Sequence, residues 1–472
     1  MHMKPQLLTG ELLRSLTAYA DSGGLDGLKR ARSMSADDVT TLVEAAGVRG
    51  RGGAGFPAAR KWASVRASSD TDDECFVVVN AAEGEPGTFK DRQLLRTNPY
   101  VVIEGALIAA HAVGARRVVV ATKAIYTEQL DRVRRAIAEL EAQGWLDGVD
   151  VSVVEGPDHY LFGEETALLE VIEGDDPLPR QIPPYLYGLY TTGPQLGWSA
   201  GIDDSPGGPA TPSSNPAVVN NAETLAHVAL VCRHGAEWYR SLGTSESPGP
   251  TIVTITGDVR RAAIAEVPLG QPLGQLIDEL TGGPGPGRSI KAVLSGVSNP
   301  VLTAAELGAT VSYEGLGAVG SGLGSAGFIV YDDTRNMVDV AYQVSRFLHV
   351  ESCGQCNSCK LGTYDITTLL ERLVLGEAAD IDVVAHLRRA LAGVTDAARC
   401  YLPTQEQRVV ASLLDRFPDD LAERLAGIPG DIDVPLPKIV DIRDGIAELA
   451  SGPPYKHPDW TLQETPVRLT RR

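Results

Sequence analysis

Four of the six cysteines in this 472-residue chain form one pattern, in which three share a two-residue spacing and a fourth follows alone. The three are Cys353, Cys356 and Cys359, and the fourth is Cys400. Such a set is typical of the ligands of a [4Fe–4S] cluster, which moves single electrons. A structural zinc ion is an alternative, although zinc usually binds two short Cys-x2-Cys pairs. Disulfides are a third alternative, and the lack of an apolar export segment in the first residues argues against them.

The two remaining cysteines, Cys75 and Cys232, stand in apolar contexts. A free cysteine in such surroundings behaves as a small hydrophobic side chain. We therefore expect both to be buried core thiols without a redox role.

A glycine-rich stretch, residues 50–55, matches the dinucleotide-binding pattern G-x-G-x-x-G by letter. That pattern needs a strand before it, whereas a helix is predicted over residues 36–46, with Ser35 as its N-cap. A second match, residues 322–327, precedes a strand and fails the same test. The first loop nevertheless combines many backbone N–H groups with nearby arginines, which favours a phosphate-bearing cofactor; a tight turn is the alternative.

Three further polar motifs lie at predicted strand ends or helix starts. Residues 80–87 follow a predicted strand, and ligands of open α/β sheets bind beyond the carboxyl ends of the strands. Residues 163–166 and 220–224 each open a predicted helix, where acidic and amide side chains either bind a ligand or simply cap the helix. A solvated turn remains the alternative for residues 80–87.

The elements that must position these motifs alternate in the first half of the chain. Apolar runs predict strands at 75–80, 117–122 and 150–155, and amphipathic patterns predict helices at 99–113 and 128–143. This alternation indicates an α/β fold with a parallel sheet and helices on its faces. Residues 177–216 read as a long loop and 222–242 as one helix. Short strands are predicted to about residue 332, then helices over 337–417, and an extended segment after 427.

Composition narrows the class of partner. The chain has 42 basic and 61 acidic residues and a net charge of −19, which argues against nucleic acid because phosphates need a cationic surface. It has no run of about 18 apolar residues, so we expect no membrane span and a cytoplasmic location.

Taken in order, the motifs resemble one family: the flavin-carrying, NADH-oxidising subunit of respiratory complex I, shared with NAD-linked hydrogenases and formate dehydrogenases. The matching stretches are residues 50–57, 61–62, 80–91, 163–167, 220–225, 320–324 and 351–363. They are collinear and span nearly the whole chain.

The resemblance implies a modular fold. It implies a Rossmann-like FMN-binding parallel-sheet domain over residues 1–244 and a β-grasp (ubiquitin-like, SLBB) module over 245–333. A four-helix bundle carrying the [4Fe–4S] cluster follows over 334–430, and an extended tail over 431–472. The implied FMN ligands are Gly50, Arg51, Gly52, Lys61, Asn80, Glu83, Asn220, Asn221 and Thr224. The residues implied near NAD(H) are Phe56, Glu85 and Tyr185, with Glu164 and Glu165 as the candidate catalytic residues.

The chain departs from the family pattern mostly on the nicotinamide side. Ala82 replaces an acid, Ser64 an aromatic residue and Ile182 a basic residue, while residues 191–213 are inserted; Tyr401 and the residues after it also differ. Two hypotheses follow: an NADH-oxidising electron-input subunit, or an FMN and cluster module that exchanges electrons with a ferredoxin or flavodoxin. A scaffold without flavin is a third.

The resemblance also implies partners. The chain lacks spare cysteines for a [2Fe–2S] centre, so we expect a small [2Fe–2S] subunit of the thioredoxin-like or ferredoxin-like kind. A larger iron–sulfur or catalytic subunit would complete the electron path.

Overall fold

The computed structural model describes residues 4–69, 74–191, 214–377 and 381–450. The helices are α1 Leu16–Asp21, α2 Asp26–Arg32, α3 Ala36–Ala46, α4 Ala58–Ser68, α5 Lys90–Thr97, α6 Pro99–Val113, α7 Thr127–Ala142, α8 Glu165–Glu173, α9 Ala222–His234, α10 Ala236–Arg240, α11 Leu273–Thr281, α12 Tyr313–Ala318, α13 Met337–Glu351, α14 Asn357–Val374, α15 Ile381–Gly393, α16 Leu402–Arg416 and α17 Pro418–Leu425. The strands are β1 Phe76–Asn80, β2 Arg117–Lys123, β3 Asp150–Gly156, β4 Ala217–Asn221, β5 Pro250–Gly257, β6 Ala263–Pro268, β7 Ile290–Ser295, β8 Leu302–Thr303, β9 Gly327–Asp332, β10 Ile439–Arg443 and β11 Ile446–Leu449. Short 3-10 turns lie at Tyr160–Gly163 and Ala304–Glu306.

The first sheet is parallel and has the order β3-β2-β1-β4. The predicted α/β class is confirmed, and the three predicted strands are present within one or two residues of their expected ends. The fourth strand, β4, was missed. It has only five residues and runs directly into α9, so its apolar run is too short to separate from a helix start by periodicity.

The single helix predicted over residues 222–242 is interrupted. Gly235 separates α9 from α10 and adopts a φ of 93°. A residue in that conformation cannot continue a right-handed helix, and glycine adopts it at little cost. The prediction was therefore wrong in its continuity but right about the start of α9.

Helices cover both faces of this sheet. Side chains of β1 alternate, with Val77 and Val79 in the core beside α6, and Phe76 and Val78 in a second core beside α8. Such two-sided burial explains why the predicted strands are continuous apolar runs. On the first face α6 and α9 pack so closely that a Cβ on Gly105 would lie 1.9 Å from the Leu225 carbonyl oxygen.

The second unit is a five-stranded mixed sheet in the order β6-β5-β9-β7-β8. Its first strand, β5, pairs antiparallel with β6 and parallel with the last strand, β9. The helix α11 contributes Leu273, Leu276 and Ile277 to the core of this sheet. Adjacent and parallel first and last strands with a packed helix are the arrangement expected for the β-grasp module.

The third unit is helical. The long helices α13, α14, α15 and α16, with the short α17, share one apolar core that includes Val344, Ile366 and Val410. The turn between α13 and α14 carries Cys353 and Cys356, Cys359 lies in the first turn of α14, and Cys400 lies two residues before the start of α16. In the part of the chain that the structure describes, none of the helices combines the length and apolarity needed to cross a membrane.

The expectation of a simply extended tail needs correction. Residues 439–449 form an antiparallel hairpin of β10 and β11. Ile439 and Ile442 pack against Phe89 of the first unit, and Asp441 pairs with Arg96 at 2.6 Å. The hairpin therefore returns from the bundle to the first unit, a long-range contact that local sequence patterns cannot show. Residues 451–472 of the predicted tail lie outside the described residues.

Candidate functional site

A cavity of about 730 Å³ opens at the carboxyl edge of the parallel sheet, and all three units contribute to its wall. Its volume falls within the range of about 300–1,000 Å³ that is usual for cofactor sites. Most residues that the resemblance assigned to FMN or NAD(H) line it: Gly50, Gly52, Phe56, Lys61, Asn80, Glu83, Glu85, Glu164, Glu165, Asn220, Asn221 and Thr224. Arg51 and Tyr185 do not.

The glycine-rich loop forms one side of this cavity and is held by the β-grasp unit. Gly55 adopts a φ of 63°, and a Cβ placed there would lie 2.4 Å from the Tyr313 ring. The Tyr313 hydroxyl donates to the Gly50 carbonyl oxygen at 2.8 Å, and the Arg49 guanidinium lies 3.7 Å from the centre of its ring. Glycine is needed here because both the backbone conformation and the close aromatic contact exclude a side chain.

Arg51 turns away from the cavity. Its guanidinium is buried and donates to the Pro250 carbonyl oxygen at 2.9 Å, where it joins the first unit to the β-grasp unit. Its backbone N–H donates to Thr224 Oγ1 at 2.9 Å. The Arg51 side chain is therefore structural, and only its backbone stays near the predicted FMN site.

The sheet edge brings the amide side chains together. In the parallel register Asn80 of β1 lies opposite Asn221 of β4. Asn80 Nδ2 donates to the Gly163 carbonyl oxygen at 2.8 Å, and Trp62 Nε1 donates to Asn220 Oδ1 at 2.9 Å. Asn221 caps α9 by accepting from the Glu223 N–H at 3.0 Å. Capping and cavity lining are thus compatible roles, which the sequence presented as alternatives.

Glu83 lines the cavity, but its carboxylate is already engaged. It accepts from the backbone N–H groups of Lys90 and Asp91 at 2.9 and 3.2 Å, and it pairs with Arg92 at 2.9 Å. These contacts fix the start of α5 beneath the cavity floor. A direct bond from this carboxylate to FMN remains a prediction.

A buried charge cluster lies next to that floor. The Lys90 ammonium bonds Asp91 at 2.7 Å and pairs with Glu223 at 3.0 Å, while Asn221 Nδ2 donates to Asp91 at 2.7 Å. Burial raises the pKa of Asp91 above its usual range, and the Lys90 charge opposes that rise. Lys90 and Asp91 both line the cavity. They belong to a stretch that the resemblance had matched, yet neither had been assigned a role.

Glu164 and Glu165 stand side by side but differ in environment. Glu164 caps α8 by accepting from the Thr166 and Ala167 N–H groups at 3.0 and 2.8 Å, and burial raises its pKa. Glu165 is paired with Lys61 at 2.5 Å and is 40% exposed. Lys61 also donates to the Val219 carbonyl oxygen at 3.1 Å, so this lysine and Glu165 are positioned from β4.

The departures from the family pattern have different locations. Ala82 presents a methyl group to the cavity. Ser64 donates to the Arg60 carbonyl oxygen at 3.0 Å on the exposed side of α4, and Ile182 does not line the cavity. Tyr185 is 38% exposed on the same loop as Ile182. Residues 192–213 of the inserted segment lie outside the described residues.

Several lining residues were missed by the sequence reasoning. From the β-grasp unit and the bundle they are Ser298, Asn299, Tyr313, Gly322, Gly324, Ser325, Tyr401, Gln405 and Arg408. Gly322 and Gly324 lie in the stretch 320–324, which resembles the family but was not assigned a function. No local pattern marked the residues that follow Cys400.

All four patterned cysteines line a second, smaller cavity in the bundle. Gly354 in their turn adopts a φ of 81°. Ser352 Oγ and Cys359 Sγ lie 3.3 Å apart, and the Arg399 N–H donates to Cys356 Sγ at 3.4 Å. The predicted set therefore assembles in space, with hydrogen bonds to sulfur of the kind that tunes a cluster.

The chemistry of this donor set fits a cationic group. Burial raises the pKa of Cys359 to about 12 and also raises that of Cys400, so these thiols keep their protons unless a metal replaces them. Among the described residues, no three His, Cys, Asp or Glu side chains converge closely enough for one metal ion. Zinc needs its sulfurs at about 2.3 Å, whereas each cysteine of a [4Fe–4S] cluster binds a different iron. The four thiols match the ligand number of a [4Fe–4S] cluster.

The two cavities share a wall. Leu161, Cys400 and Leu402 line both of them. The two sites are therefore separated at this point by the side chains of these three residues.

Comparison with known proteins agrees with this geometry. A family model described as the Nuo51 FMN-binding domain matches residues 43–230, and one described as the NADH-ubiquinone oxidoreductase-F iron-sulfur binding region matches residues 339–424. The chain is 36% identical over 397 residues to the second NADH-quinone oxidoreductase F subunit of Rhizobium meliloti, covering 81% of this chain and 88% of that protein. It is 35% identical over 420 residues to the NADH-quinone oxidoreductase F subunit of Mycobacterium bovis, covering 86% and 88%.

A solved structure is similar as well. The NAD+-reducing [NiFe]-hydrogenase in the H2-reduced state matches with a TM-score of 0.73 and 32% identity, covering 87% of this chain and 66% of that chain. An FMN-binding α/β unit joined to an iron–sulfur-binding bundle defines a class, the flavin and iron–sulfur subunits of oxidoreductases. Within that class the chain belongs to the family of NADH-quinone oxidoreductase F subunits.

Proposed function

We propose that this chain is the NADH-oxidising electron-input subunit of a multi-subunit oxidoreductase. It would bind NADH and FMN in the larger cavity and a [4Fe–4S] cluster at Cys353, Cys356, Cys359 and Cys400. Family membership supports the two cofactors, and the shared wall formed by Leu161, Cys400 and Leu402 is the observation that supports electron transfer between them.

FMN would supply the chemistry that connects NADH to the cluster, because a flavin accepts two electrons together as hydride and releases them singly. The chain's own residues bind and orient. The glycine loop offers backbone N–H groups to a phosphate, while Lys61 and Glu165 form a charged pair on the cavity wall. The four cysteines would hold the cluster that passes electrons singly to a partner when NADH is oxidised to NAD+.

The test uses purified full-length protein loaded with FMN and iron under anaerobic conditions. NADH should bleach the flavin absorbance and produce the electron paramagnetic resonance (EPR) signal of a reduced cluster. Flavin that dithionite reduces but NADH does not would contradict the proposal.

That contrary outcome would support the second candidate, an FMN and cluster module that exchanges electrons with a ferredoxin or flavodoxin. Two observations favour it: Ala82 leaves the cavity wall without the usual acid, and Tyr185 lies outside the cavity. Colourless, iron-poor protein would contradict both candidates.

The proposal includes partners and a location. The curated relatives are named as subunits, so we propose a small [2Fe–2S] partner subunit of the thioredoxin-like or ferredoxin-like kind. A larger iron–sulfur or catalytic subunit would receive the electrons, and the complex would work in the cytoplasm. Co-purification of the tagged chain with iron-containing proteins tests this part.

A further inference from the structure

A glutamine from the bundle reaches the wall of the flavin cavity and joins all three units. Gln405 lies in the first turn of α16, is 5% exposed and lines the cavity. Its Nε2 donates to the Tyr160 hydroxyl at 2.7 Å and to Ser298 Oγ at 2.7 Å. Tyr160 belongs to the α/β unit and Ser298 to the β-grasp unit, so a single amide connects them.

Both hydroxyls donate hydrogen bonds to Glu85. Ser298 donates to Glu85 Oε1 at 2.7 Å, Tyr160 donates to Oε2, and the Val297 N–H donates to Oε1 at 2.7 Å. A hydroxyl has one proton. Each can therefore donate to Glu85 while its oxygen accepts from elsewhere, and the two N–H groups of the Gln405 amide supply both of those hydrogen bonds.

The protonation states agree with this direction of donation. Burial, reinforced by the Glu85 charge, keeps the pKa of Tyr160 well above its usual value, so the hydroxyl retains its proton. Burial raises the pKa of Glu85, and the hydrogen bonds from Tyr160, Ser298 and Val297 oppose that rise. A reversed amide would present its oxygen to both hydroxyls. They would then donate to Gln405, and Glu85 would lose two donors.

We infer that Gln405 is a positioning residue for the nicotinamide nucleotide, acting through Tyr160 and Ser298 to fix the Glu85 carboxylate on the cavity wall. This inference rests on the proposed function, because it requires that bound NADH donates a hydrogen bond to the Glu85 carboxylate. Gln405 itself does not need to touch the nucleotide. It lies five residues after Cys400, directly after residues 401–404, which depart from the family pattern.

The test is stopped-flow reduction of the loaded, full-length protein by NADH without oxygen, comparing wild type with Gln405→Leu. We expect the apparent Kd for NADH to rise about tenfold, because the variant loses hydrogen bonds that each contribute about a factor of ten or less. The limiting rate of flavin bleaching should change less than about twofold, since uniform binding is affected rather than the reaction step. Flavin content and the cluster EPR signal should stay as in wild type.

Gln407→Leu is the matched control. Gln407 lies on the same helix, and its Nε2 donates to the Leu391 carbonyl oxygen at 2.6 Å, but it does not line the cavity. We expect this variant to bind NADH like wild type. Gln405→Glu separates loss of the N–H donors from altered packing, because it keeps the size of the side chain but offers no N–H donor. It should show the same rise in the apparent Kd for NADH.

A double-mutant cycle identifies the route of the effect. If Gln405 acts through Glu85, adding Gln405→Leu to Glu85→Gln should not raise the Kd further, because coupled residues are not additive. Independent, multiplying effects would overturn the inference. If NADH bleaches wild type but Gln405→Leu and Gln405→Glu match Gln407→Leu, only this inference fails. If NADH does not bleach wild-type flavin at all, the proposed function and this inference fail together.

Discussion

The cysteine site and the flavin cavity are neighbours, but they are assembled in opposite ways. Cys353 and Cys356 come from the turn between α13 and α14 and Cys359 from the first turn of α14, so three of the four cysteines lie in one short segment. The flavin cavity instead gathers side chains from the sheet edge, the glycine loop, the β-grasp unit and α16. A site built locally depends on a few residue types, whereas a site built from distant parts depends on how three units dock.

Replacing one cysteine should have the largest effect, and it should affect the cysteine site but not the flavin cavity. In Cys400→Ser we expect the cluster to be lost, with iron falling from about four atoms per chain to below one, because a cubane needs four thiolate ligands. The flavin should remain, since Cys400 only borders its cavity. Iron analysis and visible absorbance measure the two cofactors separately.

Cys75→Ser serves as the control for the cysteine prediction. Cys75 is buried and lines neither cavity, so its replacement should leave both cofactors in place. Unchanged iron in Cys400→Ser would show that the fourth ligand is a different residue.

The flavin side is tested next by Gly55→Ala. The substitution forces a side chain into a φ of 63° and places its Cβ 2.4 Å from the Tyr313 ring. We expect FMN affinity to fall at least about tenfold, since the left-handed conformation alone costs roughly 1–2 kcal/mol and the loop must also move. The cluster EPR signal should not change. Equilibrium dialysis of FMN measures the effect.

Gly114→Ala separates the two causes. Gly114 has a φ of 75° at the end of α6, and a Cβ there would have open space. It should lower stability by about 1 kcal/mol without changing FMN affinity. Equal loss of FMN in both variants would show that the contact with Tyr313 is unimportant.

The same contrast explains what sequence reasoning could reach. The spacing of Cys353, Cys356 and Cys359 carries its own chemical meaning, so their assembly with Cys400 was predictable. Arg51 and Glu83 were assigned to the cofactor by motif; the Arg51 side chain points into structural contacts, whereas Glu83 lines the cavity with its carboxylate already paired to Arg92. Which way a side chain points depends on partners far along the chain, and those partners are not visible in a local pattern.

The secondary structure shows the same limit. Predicted strands with long apolar runs are present, but β4 was missed because five residues carry too little periodicity. The hairpin of β10 and β11 was also missed, because its apolar residues are few and its partner, Phe89, lies far away in the sequence. Gln405 had no signal at all, since its role depends on three units meeting at one amide.

A smaller effect, on the pH dependence of stability, is expected from buried carboxyl groups in the bundle and in the β-grasp unit. Glu406 lies in the bundle core, where Ser345 Oγ donates to its Oε1 at 2.5 Å and its Oε2 has no hydrogen-bond partner among the described residues. Burial raises its pKa to about 8. The folded pKa of Glu406 lies above the unfolded value of about 4.3. Its contribution to the free energy of unfolding is therefore full below the unfolded pKa and is lost as pH rises toward 8.

Glu406→Gln should therefore become more stable relative to wild type as pH rises from 5 to 8, by up to about 1.4 kcal/mol per pH unit. Melting temperatures of the two proteins across that range measure the difference. Glu266 of the β-grasp unit is the comparison. Its pKa is raised to about 7 by burial, but it accepts from the backbone N–H groups of Gln6, Leu7 and Leu8. Glu266→Gln should gain stability relative to wild type only as pH rises to about 7, because its folded pKa is lower than that of Glu406. A flat difference for Glu406→Gln would show that this carboxyl is hydrated or ionised in the folded protein.

The smallest expected effect concerns the hairpin that returns to the flavin unit. Asp441 accepts from Arg96 at 2.6 Å and from Arg443 at 2.6 Å, and these partners lower its pKa although partial burial opposes the shift. Asp441→Asn should cost less than about 1 kcal/mol, because the pairs are partly exposed and screened by solvent. The folded pKa lies below the unfolded value of about 3.9, so the difference in melting temperature should be full at neutral pH and vanish as pH falls through the folded pKa. Salt should also reduce it. A loss of cluster iron in this variant would show that the hairpin supports the bundle rather than the flavin unit, and the two sites would then be less independent than their separate construction indicates.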